Sequence, residues 1–309
     1  MDKQREFALT EMCGVLDVSV SGYRSWKRGG KPGRKRLTDA QMLALICAIH
    51  DELKGAYGSP RMVLELRGRG FPASKERVER LMRENGIRAR HKRRYKVTTD
   101  SKHALPVAPN RLDRNFMPSA PNRVWTSDIT YLWTGEGWLY LAIVLDLFNR
   151  EVVGWSLKPR MKADIVTDAL SMAWFRRKPA AGLVHHSDRG SQYASAEVRK
   201  WLIQKVMRQS MSGTGNCFDN APMESFWHSL KVEETHGQDF ATRAEASHCV
   251  FGYIEGWYNT TRMHSSLGYQ SPVQFERALY AKPTVAANDD STAVSSNDSQ
   301  TARLKKRAA

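Results

Sequence analysis

The chain predicts a mixed α/β core preceded by a small, strongly basic all-α region. Three observations carry this: the order of apolar segments, the uneven distribution of charge, and three carboxylates whose contexts place them at one lip of the core. Of 48 Lys+Arg and 32 Asp+Glu in 309 residues, the first 120 residues hold 26 and 13, a net +13 out of +16. A basic front before a near-neutral apolar segment fits a region that meets a polyanion joined to a catalytic domain.

At the front, Leu9, Met12, Val15 and Leu16 recur at helical spacing. After a break at Asp17–Ser19 comes a stretch with Tyr23 and Trp26 beside Arg24, Lys27 and Arg28. Two short helices across a tight turn form a helix-turn-helix-like pattern; a plain helical hairpin gives the same pattern. With the basic linker GGKPGRKRL, this predicts a unit over residues 1–36. Residues 37–96 then predict a helical DNA-binding domain. Thr38 caps a helix with Met42, Leu43, Ile46 and Ile49 on one face; Ser74 caps another with Val78, Leu81 and Met82 facing inward. The unit ends in RARHKRRYK, where Arg88, Arg90, Lys92, Arg93 and Arg94 are expected to contact phosphates. Residues 97–121, rich in Pro, Ser and Asn, predict a linker.

The core spans residues 122–282. RVWTSDITYLWT is β-branched and aromatic, WLYLAIVLDLF is a nearly continuous apolar run, and EVVGWSLK follows a turn at Asn149–Arg150. These predict a three-stranded meander whose middle strand is covered on both faces. A helix (ADIVTDALSMAWFRR), a short strand (GLVHHSD), a helix, a strand (VMRQSMS) and further helices complete five strands. Gly213 and Gly215 predict a mobile loop before the helix APMESFWHSLKVEETHG. RAEASHCVFGYIEGWYNTTR predicts a closing helix, and residues 283–309 a disordered tail. The four cysteines make no CxxC pair, no apolar run is long enough for a membrane span, and the start lacks a signal-peptide stretch. These features predict a cytoplasmic protein.

The chemistry-bearing residues are Asp128 on the first strand, Asp188 at the end of the fourth, and Glu224 on the helix after the fifth, 36 positions beyond Asp188. If the first and fourth strands are neighbours, both aspartates meet at one edge and the helix lays Glu224 across them. Such a trio suits two Mg²⁺ or Mn²⁺ ions, held roughly 3.5–4 Å apart in phosphodiester chemistry. Lys231, two helical turns after Glu224, is placed to contact a phosphate, and Arg189 and Asn220 are weaker candidates for positioning DNA. One of His185 and His186 is expected to pack on the strand and the other to approach the site. Asp146 is expected to order the turn after its strand, and Asp219 or Asn220 to cap the following helix.

DITYLWT, GWLYLAIVLDLFNREVVGWS, HHSDRGSQY, GNCFDNAPMESFWHSLK and YNTTRMHSSLGYQSP together resemble bacterial insertion-sequence transposases, specifically the second-open-reading-frame product of two-frame elements. The resemblance implies a ribonuclease-H-like integrase core and a DDE triad falling on Asp128, Asp188 and Glu224. It further implies Mg²⁺-dependent cleavage of transposon ends and strand transfer into target DNA, by a homo-oligomer on double-stranded DNA. Fusion or association with the upstream-frame product is also implied, this chain corresponding to the downstream product alone. Two other readings fit the residues: another nuclease of the same fold, and a non-catalytic DNA-binding regulator from a decayed element.

Overall fold

The computed structural model describes residues 8–16, 18–28, 37–90, 105–213 and 217–281. Lys92, Arg93 and Arg94, most of the Gly213–Gly215 loop and the tail from residue 282 lie outside them.

Helices α1 (Leu9–Val15) and α2 (Val20–Lys27) occupy the positions expected for the first pair, with the Ser19 hydroxyl accepting from Gly22 N. Helices α3 (Asp39–Glu52), α4 (Ser59–Gly68) and α5 (Lys75–Glu84) enclose a core of Met42, Ile46, Ile49, Met62, Leu66, Val78 and Leu81. Thr38 and Gln41 form a capping box at the start of α3, Ser74 caps α5, and Gly86 (φ +67°) takes the left-handed conformation just beyond α5.

Strands β1 (Val124–Thr134), β2 (Gly137–Asp146) and β3 (Val152–Lys158) form the antiparallel meander. Asp146 orders the turn after β2, accepting from Phe148 N at 2.9 Å and from Asn122 N at 2.7 Å. Helix α6 (Ala163–Arg177) crosses to β4 (Val184–Ser187), and α7 (Ala196–Gln204) to β5 (Arg208–Met211); both strands run parallel to β1. The order β3-β2-β1-β4-β5 is the ribonuclease-H-like arrangement. Alternation along β2 explains its apolar run. Leu141, Ile143 and Leu145 pack on one side with Phe226, Leu230, Val250 and Ile254, while Ala142 and Val144 pack on the other with Ile165, Val166 and Leu170.

Two helices depart from expectation. APMESFWHSLKVEETHG is α-helical only over α8 (Ala221–Leu230) and then widens into a π-helical turn, Lys231–Thr235. Likewise α9 (Arg243–Phe251) passes into a π-helical segment, Gly252–Tyr258, before α10 (Pro272–Ala281). Both wide turns face the helical unit. Lys54 pairs with Glu234 at 2.8 Å, buried Tyr57 accepts from Met263 N at 3.0 Å and packs on Trp257, and Arg90 donates to the Glu233 carbonyl at 3.4 Å. The described part of the expected linker is bound to the core as well. Asn110 and Arg114 both donate to the buried Asp219 carboxylate, and Leu112 enters the core. Among the described residues no helix is long and apolar enough to cross a membrane.

Candidate active site

Register brings the two aspartates together. The parallel pairing of β1 with β4 ends at Ser127 opposite Ser187; Asp128 is the next residue along β1, and Asp188 the first beyond β4. They stand side by side where the sheet opens. Asp128 as a residue is half-buried, but its carboxyl group is deeply enclosed. Oδ1 accepts from Ile129 N at 2.8 Å; Oδ2 accepts from Trp227 Nε1 at 2.9 Å and from Asn220 Nδ2 at 3.3 Å. Burial first, and the Asp188 charge second, push the Asp128 carboxyl up to about 7, against the opposing pull of the Trp227 hydrogen bond and the Lys231 charge. Asp188 Oδ1 accepts from Gly190 N at 2.9 Å, so this aspartate also shapes its own turn.

Glu224 lies in the first turn of α8 and is exposed. Among the described residues no three His, Cys, Asp or Glu side chains gather as a metal cage, while the Asp188 charge acts directly on Asp128. The donor set does fit a hard divalent cation, because such an ion offsets both the burial and the Asp188 charge that raise the Asp128 carboxyl.

The other expected residues have specific places. Lys231 begins the π-helical turn, and its Nζ lies 6.0 Å from the centre of the Tyr131 ring. Arg189 donates through Nε to the Ser212 carbonyl at 2.7 Å, and Arg88 and Arg90 are exposed. Asn220, expected to position DNA or cap the helix, does not cap it; it is buried, with its amide between Asp128 and Thr126. Asp219, the other expected cap, instead ties the segment before the core to Gly213 N at 2.8 Å. Both histidines are buried on β4, and His185 reaches the residue that precedes Asp128. His185 meets Ser127 on β1 at 2.8 Å and His186 meets Ser210 on β5 at 2.9 Å, burial lowering them to about 3 and about 4. Sequence reasoning missed Trp227 as a partner of Asp128. The signal was present, since Trp227 follows Glu224 by three residues and so shares its helical face.

Comparison with known proteins agrees with this layout. The HTH-like domain matches residues 36–95, and the Integrase core domain matches residues 118–217 and again 224–279. Over 278 residues the chain is 44% identical to the transposase InsF for insertion sequence IS3A of Escherichia coli (strain K12), covering 88% of this chain and 95% of the relative. The chain belongs to the insertion-sequence transposases of this family. An IS600 31 kDa protein of Shigella sonnei is 43% identical to this chain over 269 residues, covering 87% of this chain and 98% of that protein. Among solved structures, a simian T-cell lymphotropic virus intasome in complex with PP2A regulatory subunit B56 gamma aligns at 14% identity and TM-score 0.43, covering 82% of this chain and 80% of that one. The catalytic core domain of BIV integrase aligns at 15% identity and TM-score 0.39, covering 52% and 98%. Asp128 and Asp188 fall in the first integrase-core match of the transposase, Glu224 and Lys231 in the second.

Proposed function

We propose that the transposase cleaves DNA at the ends of its element and joins the freed 3′-hydroxyls to a target phosphodiester, with Asp128, Asp188 and Glu224 holding two Mg²⁺ (or Mn²⁺) ions. The observation that carries this is the parallel register of β1 and β4, which sets Asp128 beside Asp188 just past the end of β4, with burial and the Asp188 charge raising the Asp128 carboxyl to about 7. Trp227 supports the place of Glu224, because a residue three positions from a side chain touching Asp128 shares its helical face. Asp128, Asp188 and Glu224 would hold the ions, which would supply activation of the attacking oxygen and charge relief on the leaving one.

The chain's own residues orient and neutralise. Trp227 and Asn220 fix the Asp128 carboxylate through its Oδ2. Lys231, whose charge already favours the ionised form of Asp128, is placed to offset a phosphate. Arg88 and Arg90, with Lys92, Arg93 and Arg94, track the DNA backbone, and Arg189 supports the loop next to Asp188. On this reading the protein acts in the cytoplasm as a homo-oligomer on double-stranded DNA, in fusion or association with an upstream-frame product. The test is incubation of the purified chain with labelled element ends in Mg²⁺. Nicked and joined products are expected, and both should fall to background for Asp188→Asn. Unchanged products in that variant would overturn the assignment, and hydrolysis that never leads to joining would indicate a nuclease of the same fold.

A further inference from the structure

The β1–β2 hairpin carries an aromatic cluster that the core leaves in water. Tyr131 and Trp133 alternate with buried Leu132 and Thr134, so their rings share one face of β1. Trp138 stands opposite Trp133 across the ladder. Its ring lies edge-on to both neighbours, 5.0 Å from Tyr131 and 4.8 Å from Trp133 between centroids. Trp133 is 61% exposed, Trp138 43% and Tyr131 39%. Exposing three adjoining large rings forgoes burial energy, and contiguous apolar patches on soluble proteins commonly mark contact sites. The cluster is also held rigidly. Thr134 Oγ1 donates to the Gly137 carbonyl at 2.7 Å, a side chain on Gly135 would run into the Ala241 carbonyl, and Arg243 Nε donates to the Trp138 carbonyl.

Two further features indicate what it meets. Lys231 influences Asp128 and also reaches Tyr131, so the aromatic face and the candidate catalytic centre share a cation. Beside the rings lies an open cleft of about 450 Å³, lined in part by Tyr131, Trp133, Lys231, His236 and Asp239. Asp239 there, and Glu136 bound to Arg243 N, offset the positive charge around the rings. Rings beside a single shared cation suit the flat face of a base better than the dense charge of a duplex backbone. In a duplex, base faces are covered by stacking; only an unpaired base presents one.

We propose that Tyr131, Trp133 and Trp138 form a stacking platform for an unpaired nucleobase at the DNA end being processed, with the adjoining phosphate on Lys231. This rests on the reading that the transposase acts on DNA ends at Asp128 and Asp188. The test compares full-length protein bound to a blunt element-end duplex and to the same duplex with a short single-stranded extension carrying 2-aminopurine. Wild-type protein should prefer the extended duplex by about tenfold and quench the probe, in line with the worth of one base–aromatic stack. Trp133→Ala should lose the preference and the quenching while binding blunt duplex normally, and Trp133→Phe should keep most of both. Equal wild-type affinity for the two duplexes overturns the proposal. So does a preference that survives Trp133→Ala, and above all one that survives while sedimentation shows an altered oligomer, which would make the rings a protein contact. Joining by a protein with no extension preference removes the platform alone; preference without any joining removes the catalytic reading and leaves the platform.

Discussion

Asp128 concentrates opposing forces on one carboxyl. Without a cation its raised value means that ionising it inside the fold is costly: stability associated with the protonated form is present at acid pH and lost as pH rises through about 7. A divalent ion reverses this, since it binds the ionised form. Calcium-induced gain in melting temperature should therefore grow from pH 5.5 to pH 8, with affinity weakening about tenfold per pH unit below the Asp128 value. A gain independent of pH would detach the ion from Asp128. Glu233 is a second pressured residue, buried and bound by Arg262, Tyr253 and Trp257. Arg262→Met strands that carboxylate and should cost about 3–5 kcal/mol in urea denaturation. The exposed guanidinium of Arg88 acts otherwise. Its removal should leave stability unchanged and lower the salt slope of DNA binding by about 1.

Among the elements, β3 against α6 is the tightest approach. A side chain on Gly154 would overlap the Ala169 carbonyl, which as helix backbone cannot move aside. Gly154→Ala should therefore cost about 1–3 kcal/mol, read as a lower urea midpoint with an unchanged slope. How much of these elements was readable follows from their periodicity. The meander, both crossover helices, the place of Asp128 on the first strand and that of Asp188 at the end of the fourth followed from apolar alternation and turn residues. The π-helical turns did not, because Val232, Tyr253 and Ile254 fall at spacings that an α-helix accommodates as well. Nor did the partnership of Asn220 with Asp128, since an asparagine just before a helix reads equally as a cap. The serine partners of the two histidines were hidden for a related reason: they sit on neighbouring strands, visible only once the register is known.

For the whole molecule, the junction between the helical unit and the core depends on Tyr57. Its ring is buried against Trp257 and its hydroxyl receives Met263 N. Tyr57→Phe removes only that acceptor and should cost about 1–3 kcal/mol. Tyr57→Ala empties the joint, at about 3–5 kcal/mol, and should split a single calorimetric transition into two. A transition that stays single and shifts uniformly would show that the joint is not what couples the halves.

The wide turn at Lys231–Thr235 has a bearing on how such elements diversify. Five consecutive residues carry a cation whose charge acts on Asp128, a carbonyl for Arg90 and a carboxylate for Lys54. A chimera that imports foreign recognition helices inherits a mismatched socket unless this short stretch travels with them. Lineages that exchange their reading heads should accordingly bear the scar of that trade far downstream, in a segment more than a hundred positions away along the chain.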